Sequence, residues 1–168
     1  MHSIDWTQQH CGLHQASWKD VCENMPDVAE LIRESFPDNL ENFTWDIKVH
    51  MLMPSQFPCI PNWHYDNVPR VNNVQDWDKV RLDLPMYLWV SGEPLTEFRK
   101  DGVITKIDPC TWKRFTQADE HRGTRCETFT WRGFIRATHK DILPAKPRGP
   151  SVLRRHSQVY LDAENFAW

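Results

Sequence analysis

The sequence predicts an α+β fold in which two short N-terminal helices flank a β-sandwich or barrel. Three observations lead to this prediction. Apolar residues recur at helical spacing only within residues 17–36, the pattern changes to strand-like alternation from Phe43 onward, and turn signals separate many short strands after that point. With 168 residues the chain has the length of one domain with a substantial core, so we predict a single domain over 1–168.

The predicted helices occupy residues 17–36. Ser17 begins the first helix, with Asp20 three residues later in the position that a capping box requires. Met25-Pro26-Asp27 ends this helix and starts the next, whose apolar positions are Val28, Leu31, Ile32 and Phe36. We expect both helices to flank the β-core and to carry no chemistry.

The predicted β-core spans residues 43–139. Its strands are expected at 44–53, 81–90, 96–98, 102–107, 112–116 and 128–138. The Asp101-Gly102 step is a strong turn signal, and it closes a hairpin between the third and the fourth of these strands. The proline-rich run 144–150 breaks regular structure, so residues 140–168 are predicted to form a C-terminal extension.

The composition is typical of a cytoplasmic protein that does not associate with membranes. Charged residues make up 26% of the chain, the mean hydropathy is -0.65, and no apolar run approaches the roughly 18–20 residues of a membrane helix. The first residues lack the basic and apolar regions of a secretory signal. The five cysteines are odd in number and form no CxxC pair, which favours reduced thiols over a disulfide framework or a zinc knuckle.

Charge is distributed unevenly along the chain. Residues 1–98 carry 6 Lys and Arg against 15 Asp and Glu, whereas residues 99–155 carry 14 against 6. The basic half predicts either an anion-binding face or ion pairing between the two halves in the folded protein. The overall net charge of -3 does not favour a dedicated nucleic-acid-binding protein, although nucleic acid stays among the candidate substrates.

Residues 54–70 contain the first candidate metal ligands. The chain ahead of Trp63-His64-Tyr65-Asp66 is kept extended by three prolines, Pro54, Pro58 and Pro61. If this segment is a strand, His64 and Asp66 point to the same face and supply two of the three ligands of a 2-His-1-carboxylate metal site. The alternative is a turn that contains an ordinary His–Asp hydrogen bond.

Candidates for the third ligand are the histidines His50, His121, His139 and His156. The sequence around His121 is the most informative, because this residue precedes the clearest predicted strand, which carries Arg132 and Arg136. Period-two alternation places both arginines and Phe134 on one face of that strand, an arrangement that suits the wall of a pocket. The alternatives are a solvated loop histidine and cross-strand ion pairs of the arginines on an exposed sheet face.

The order His64-Tyr65-Asp66, His121 and Arg132 resembles the pattern of the Fe(II)/2-oxoglutarate-dependent dioxygenases. That family carries His-x-Asp, then a distal His, then an Arg on a later strand; here ten residues separate His121 from Arg132. The segment 132–138 is also similar to the closing strand of the taurine-dioxygenase-like branch, which carries two such arginines. The resemblance covers about residues 45–138. It implies a double-stranded β-helix, which is a jelly-roll or cupin-like core, with N-terminal flanking helices.

The resemblance also implies a catalytic site for Fe(II) and for the cosubstrate 2-oxoglutarate. The iron would be held by three residues, His64, Asp66 and His121. Arg132 would pair with the distal carboxylate of 2-oxoglutarate, because a planar guanidinium matches a carboxylate, and Thr96 would add a hydroxyl. Arg136 would be a second contact to the cosubstrate or would face an anionic part of the substrate. The implied reaction is hydroxylation of an unidentified substrate, either a small molecule or a macromolecule.

Two other functions fit the same residues. A cupin-like metal-dependent isomerase or epimerase would share the barrel and the metal but would not consume 2-oxoglutarate. A non-catalytic β-sandwich binding module would carry no stoichiometric metal and would use its charged halves to bind a protein or a nucleic acid. Consumption of 2-oxoglutarate and metal content therefore separate the three functions.

Overall fold

The computed structural model describes residues 4–9, 12–146, 153–154 and 160–161, and its described part consists mostly of antiparallel β-strands with two short α-helices. The helices are α1 (Trp18–Asn24) and α2 (Pro26–Ser35). The strands are β1 (Gly12–Ala16), β2 (Phe43–Leu52), β3 (Gln56–Phe57), β4 (Arg70–Val71), β5 (Val74–Gln75), β6 (Met86–Val90), β7 (Thr96–Lys100), β8 (Val103–Lys106), β9 (Lys113–Phe115), β10 (Glu120–Gly123), β11 (Thr130–His139), β12 (Leu153–Arg154) and β13 (Tyr160–Leu161). The predicted α+β class is confirmed.

The two helices lie where the sequence predicts them. Ser17 and Asp20 form the expected capping box: the Ser17 hydroxyl accepts from the Asp20 backbone N–H, and the Asp20 carboxylate accepts from the Ser17 backbone N–H. Trp18, Val28 and Ile32 belong to the apolar cluster that joins the helices to the sheet. Neither described helix combines the length and the apolar content that crossing a lipid bilayer requires.

The larger sheet has six strands in the order β12-β1-β2-β11-β6-β9. At its centre, β2 and β11 pair antiparallel over their whole length, from Phe43 opposite His139 to Leu52 opposite Thr130. Period-two alternation divides β11 into two faces. Ile135 and Ala137 pack into the apolar cluster under the helices, whereas Phe134 packs into a different cluster on the other side of the sheet.

A second sheet, in the order β10-β7-β8, covers that other side. Phe98 of β7 shares a buried apolar cluster with Leu88, Phe115 and Phe134 of the larger sheet. The two sheets therefore face each other as in a β-sandwich, and the polar residues at one end of the gap line a cavity. Two small two-stranded sheets, β13-β3 and β4-β5, complete the described strands.

The strands β3, β4, β5 and β10 lie where the sequence predicts no strand, and the structure differs from the prediction at three further places. The strand predicted to start at Arg81 starts at Met86, because the Arg81 side chain pairs with Asp83 and the Leu84 N–H closes a turn onto the Arg81 carbonyl. Strand β1 lies in a polar segment for which the sequence predicts no element. His64 forms only an isolated bridge rather than a strand, since a turn with positive φ at Asn67 follows it.

Beyond residue 146, the C-terminal extension is described only at β12, which pairs with β1, and at β13, which pairs with β3. The candidate ligand His156 lies outside the described residues, as does Cys11. The other four cysteines are free thiols, as predicted: Cys22, Cys59, Cys110 and Cys126.

Candidate metal centre

The three predicted metal ligands converge at one end of the cavity. His64, Asp66 and His121 each offer a ligand atom, and these atoms all lie within 4.8 Å of one another. The Asp66 carboxylate lies next to both rings, with Oδ1 4.0 Å from Nε2 of His64 and Oδ2 3.3 Å from Nε2 of His121. Two imidazoles and one carboxylate at this spacing can hold a single transition-metal ion.

Backbone pairing brings the two histidines together. The His64 N–H donates to the His121 carbonyl and the His121 N–H donates to the His64 carbonyl, both at 3.0 Å. The segment before Asp66 therefore adds one rung to the free edge of β10. Gly123 allows this approach, because a Cβ there would lie 2.5 Å from the carbonyl oxygen of Cys59.

Both imidazoles are oriented in the same way. Nδ1 of His64 lies 2.8 Å from the Asn62 carbonyl oxygen, and Nδ1 of His121 lies 3.2 Å from the Asp119 carbonyl oxygen. A hydrogen bond from Nδ1–H to a carbonyl fixes the tautomer and leaves Nε2 unprotonated for a metal. Each histidine is therefore oriented by the backbone carbonyl of the residue two positions before it in the chain.

Trp63 holds the ligand segment against the smaller sheet. The guanidinium carbons of Arg99 and Arg122 each lie 4.5 Å from the centroid of the Trp63 ring. These arginines are held in turn by carboxylates on the neighbouring strands, Arg99 by Glu120 at 2.7 Å and Arg122 by Glu97 at 2.9 Å. The residue before His64 thus packs against arginine side chains from two neighbouring strands, β7 and β10.

The pKa values of the three ligands respond to one another. Burial would lower the pKa of His121, but the neighbouring Asp66 carboxylate raises it above its usual 6.5. Burial and the nearby His121 lower the pKa of His64. Burial would raise the pKa of Asp66, yet the Arg136 guanidinium holds it well below its usual 3.8. Asp66 is therefore an ionised carboxylate at neutral pH.

Arg136 connects Asp66 to the interior of the larger sheet. Its Nη1 donates to Asp66 Oδ2 at 2.6 Å, and its Nη2 donates to Asp46 Oδ2 at 2.8 Å. Asp46 Oδ1 accepts from the Gln15 backbone N–H at 3.1 Å and lies 2.9 Å from Nδ1 of His14. These pairs join the acidic half of the chain to its basic half, which is the second of the two interpretations of the charge distribution. The role of Arg136 toward cosubstrate or substrate stays a prediction.

Arg132 and Thr96 lie together, deeper in the protein. Arg132 is 0% exposed, and its Nη2 donates to Thr96 Oγ1 at 2.8 Å. Its Nε and Nη1 have no hydrogen-bond partner among the described residues, and neither has either ring nitrogen of His50, which lies directly opposite on β2. The alternative of an ion pair on an exposed sheet face is wrong for Arg132, because the side chain is buried and pairs with no carboxylate of the described residues.

The cavity next to the three ligands has a volume of about 90 Å³. Thr96 lines it, and Arg132 lies one hydrogen bond behind Thr96. The other lining residues come from both sheets and the 54–70 segment: Lys48, Cys59, Ile60, His64, Asp66, Leu88, Phe115, His121, Phe134 and Arg136. The cavity thus connects the candidate ligands with the buried arginine.

Lys48 and Asp46 are functional candidates that the sequence reasoning missed. Both lie on β2 in the same phase as His50, and they face Phe134 and Arg136 of β11. Their alternation on one strand was visible in the sequence, but which face of β2 meets the cavity depends on its pairing with β11. Of the other candidate histidines, His50 is buried outside the triad and His139 packs against Phe43, so neither joins the three ligands.

No protein-family model, no curated protein and no solved structure matches this chain. The possible chemistry of the site is therefore inferred from its side chains alone. These are an ionised carboxylate next to two oriented imidazoles, a small cavity, and a buried guanidinium of which two nitrogens have no partner among the described residues.

Proposed function

We propose that the protein is a non-haem iron oxygenase that uses 2-oxoglutarate as cosubstrate and hydroxylates its substrate. The observation that carries this proposal is the convergence of His64, Asp66 and His121 on one end of a cavity that also leads toward Arg132. The three ligands would hold the metal, and Arg132 would bind the cosubstrate. Each of these two parts is supported by separate contacts.

The donor set fits ferrous iron. Two imidazoles and one carboxylate on one side of an octahedral ion leave the remaining positions open for other ligands. Cys59 also lines the cavity, but burial raises the pKa of its thiol to about 11, so it stays protonated and is not a competing thiolate ligand. The open cavity on one side and the oriented Nε2 atoms on the other support a catalytic site rather than a closed structural one.

The surroundings of Arg132 fit a carboxylate of the cosubstrate. Burial lowers the pKa of its guanidinium to about 10, which leaves it charged at neutral pH, and two of its nitrogens, Nε and Nη1, lack partners among the described residues. A buried cation with free donors is stabilised by an anion that it can bind through two hydrogen bonds. Thr96 Oγ1 lies beside it and supplies a third contact. Iron and 2-oxoglutarate together supply the oxidising power, with 2-oxoglutarate converted to succinate and carbon dioxide.

The strand order supports a double-stranded β-helix. After β2, the chain alternates between the two facing sheets: His64 joins β10, β6 joins β11, the β7–β8 hairpin joins β10, β9 joins β6, and β10 and β11 follow. Such alternation between two antiparallel sheets is the feature that distinguishes a jelly-roll winding from a simple meander. We propose that β2 to β11 form this winding, with the metal ligands at one end of it.

The proposal is tested by anaerobic binding of Fe(II) and 2-oxoglutarate, followed by measurement of succinate after oxygen is admitted. We expect the wild-type protein to bind one iron and to form succinate, and we expect His64→Ala, Asp66→Ala and His121→Ala to lose both. Arg132→Met should keep the iron and lose 2-oxoglutarate affinity. His139→Ala is the matched control, because His139 lies outside the triad, and it should behave as the wild type.

Three results would contradict the proposal. Succinate formed by Asp66→Ala at the wild-type rate would show that the assigned site is not the catalytic one. Metal bound by the three residues without any 2-oxoglutarate binding would support a metal-dependent isomerase or epimerase instead. Absence of stoichiometric metal in the freshly purified protein and after reconstitution would support a non-catalytic binding module.

A further inference from the structure

Lys48 is a cation in the cavity wall that has no ion-pair partner among the described residues. It lies on β2 opposite Phe134 and lines the same cavity as Asp66, with Nζ 5.2 Å from the centroid of the Phe134 ring. Within the part of the chain that the structure describes, Lys48 forms no hydrogen bond and no ion pair. Its side chain is half-buried, so water satisfies it only in part.

The two acidic groups near Lys48 are each paired with Arg136. Asp46 lies two residues before Lys48 on the same face of β2, but its two oxygens contact Arg136, Gln15 and His14. Asp66 is bound by Arg136 as well. Burial and repulsion from Arg136 lower the pKa of Lys48 below its usual 10.5. A cavity-lining ammonium in this position is stabilised when an anion enters the cavity.

The charge balance of the proposed site leads to the same conclusion. The charges of Lys48 and Arg136 are balanced by those of Asp46 and Asp66, and Arg132 adds one further positive charge. A divalent metal ion adds two positive charges, and the 2-oxoglutarate dianion offsets two. One positive charge therefore remains uncompensated in a confined, weakly solvated space, where such a charge is costly. The group that offsets it has to be an anion.

We propose that Lys48 binds a carboxylate or phosphate oxygen of the substrate, and that the protein therefore acts on an anionic substrate. This inference rests on the proposed function, since the charge balance includes the metal and the cosubstrate. Phe134, which the Lys48 ammonium overlies, fixes the direction of the lysine side chain across the cavity wall. Arg136 is held by its two carboxylates, so Lys48 is the cation left to contact the substrate.

The test is calorimetric titration of the protein with two small anions, acetate and inorganic phosphate, in the presence of Fe(II) and saturating 2-oxoglutarate without oxygen. For the anion that binds the wild type more tightly, we expect Lys48→Met to weaken affinity by roughly tenfold or more, as loss of a charged hydrogen bond requires. Lys48→Arg should retain most of the affinity. Lys106→Met, at an exposed lysine of β8, is the matched control and should leave it unchanged.

Affinity for 2-oxoglutarate is measured in the same variants to determine whether Lys48 binds an anion of the substrate or the cosubstrate. Unchanged 2-oxoglutarate affinity in Lys48→Met, with loss of the small anion, supports the proposal. Loss of 2-oxoglutarate affinity with unchanged acetate and phosphate binding would overturn it and assign Lys48 to the cosubstrate. Equal anion affinity of the wild type and Lys48→Met would also overturn it. Thermal unfolding of Lys48→Met, which keeps an apolar stem over Phe134, verifies that the variant is folded.

Failure of the proposed function gives a different pattern. If the wild-type protein binds neither Fe(II) nor 2-oxoglutarate, the two anions are titrated into the metal-free wild type and into metal-free Lys48→Met. Binding that depends on Lys48 supports an anion site in the cavity even then. Absence of such binding overturns the inference together with the proposed function.

Discussion

Arg136 holds the Asp66 carboxylate from behind, donating from Nη1 to Oδ2 at 2.6 Å while its Nη2 is bound to Asp46 at 2.8 Å. Asp46 is 1% exposed and is itself held by the backbone of β1. Because Oδ2 of Asp66 is bound in this way, Oδ1 is the oxygen left free on the His64 side of the candidate site. The rotamer of a candidate metal ligand is thus set by an ion-pair network that Arg136 of β11 and Asp46 of β2 form.

The ion-pair network around Arg136 makes a prediction about stability. Arg136→Met leaves the Asp46 and Asp66 carboxylates facing each other without a cation, and breaking such a buried pair costs about 3–5 kcal/mol. Urea unfolding of the metal-free protein measures this loss. Arg81→Met is the control, because Arg81 pairs with Asp83 on the exposed surface, and its unfolding curve should match the wild type. An equally stable Arg136→Met variant would show that the network does not stabilise the fold.

Acid stability follows from the pKa of Asp46. Burial would raise this pKa, but Arg136 and the hydrogen bonds from His14 and Gln15 hold it below its usual 3.8. A carboxyl with a lowered folded-state pKa stabilises the protein fully above its unfolded-state pKa, and this contribution is lost as the pH falls through the range below 3.8. We expect the free energy of unfolding to fall over that range in the wild type. Asp46→Asn should be less stable at neutral pH and should show a smaller fall, which urea unfolding at several pH values measures.

Gly123 gives a prediction about the spacing of the ligands. A Cβ at this position would lie 2.5 Å from the Cys59 carbonyl oxygen, which is backbone and has little freedom to move. Gly123→Ala therefore pushes the 54–70 segment away from β10, and we expect a loss of about 1–3 kcal/mol in stability together with weaker binding of added divalent metal. Thr124→Ala, at the next residue, is the control. Unchanged metal affinity in Gly123→Ala would mean that the backbone bridge at His64 is not needed for the site.

The thiols are predicted to react in a fixed order. Cys110 is exposed, whereas burial raises the pKa of Cys59 to about 11 and also raises that of Cys126, whose thiol donates to the Thr128 carbonyl. With iodoacetamide at about pH 8, Cys110 should be labelled in the native protein, and Cys59 and Cys126 only after unfolding in urea. Peptide mass spectrometry measures the order. Native labelling of Cys59 as fast as that of Cys110 would show that the cavity wall is open to solvent.

The triad could be predicted from the sequence because its signal is local. His64 and Asp66 are two residues apart on an extended segment, and His121 lies in a short strand, β10, that comes before the well-marked strand β11. The site forms even though His64 contributes only an isolated bridge, since one antiparallel rung is enough to align it with His121. Local patterns were sufficient for these three side chains.

The surroundings of the triad depend on contacts between distant parts of the chain. Lys48 and Asp46 reach the site because β2 pairs with β11 in one particular register, which no local pattern specifies. The strand predicted over residues 81–85 is wrong because a local pattern was misleading there. The alternating apolar and polar residues are typical of a strand, but a local ion pair and a turn form instead. Leu82 is consequently exposed rather than buried.

The reciprocal backbone bonds between His64 and His121 have one further consequence. They belong to a small set of backbone bonds that join the proline-rich segment to residues 121–126, together with the Gly123 N–H bond to the Ile60 carbonyl and the bonds of Cys126 with Ser55 and Gln56. A divalent ion held by His64, Asp66 and His121 would act there as a removable cross-link between two segments that are far apart in the chain. Binding of the metal would then be thermodynamically linked to the pairing at this sheet edge, so that a chelator would also lower the stability of this part of the fold.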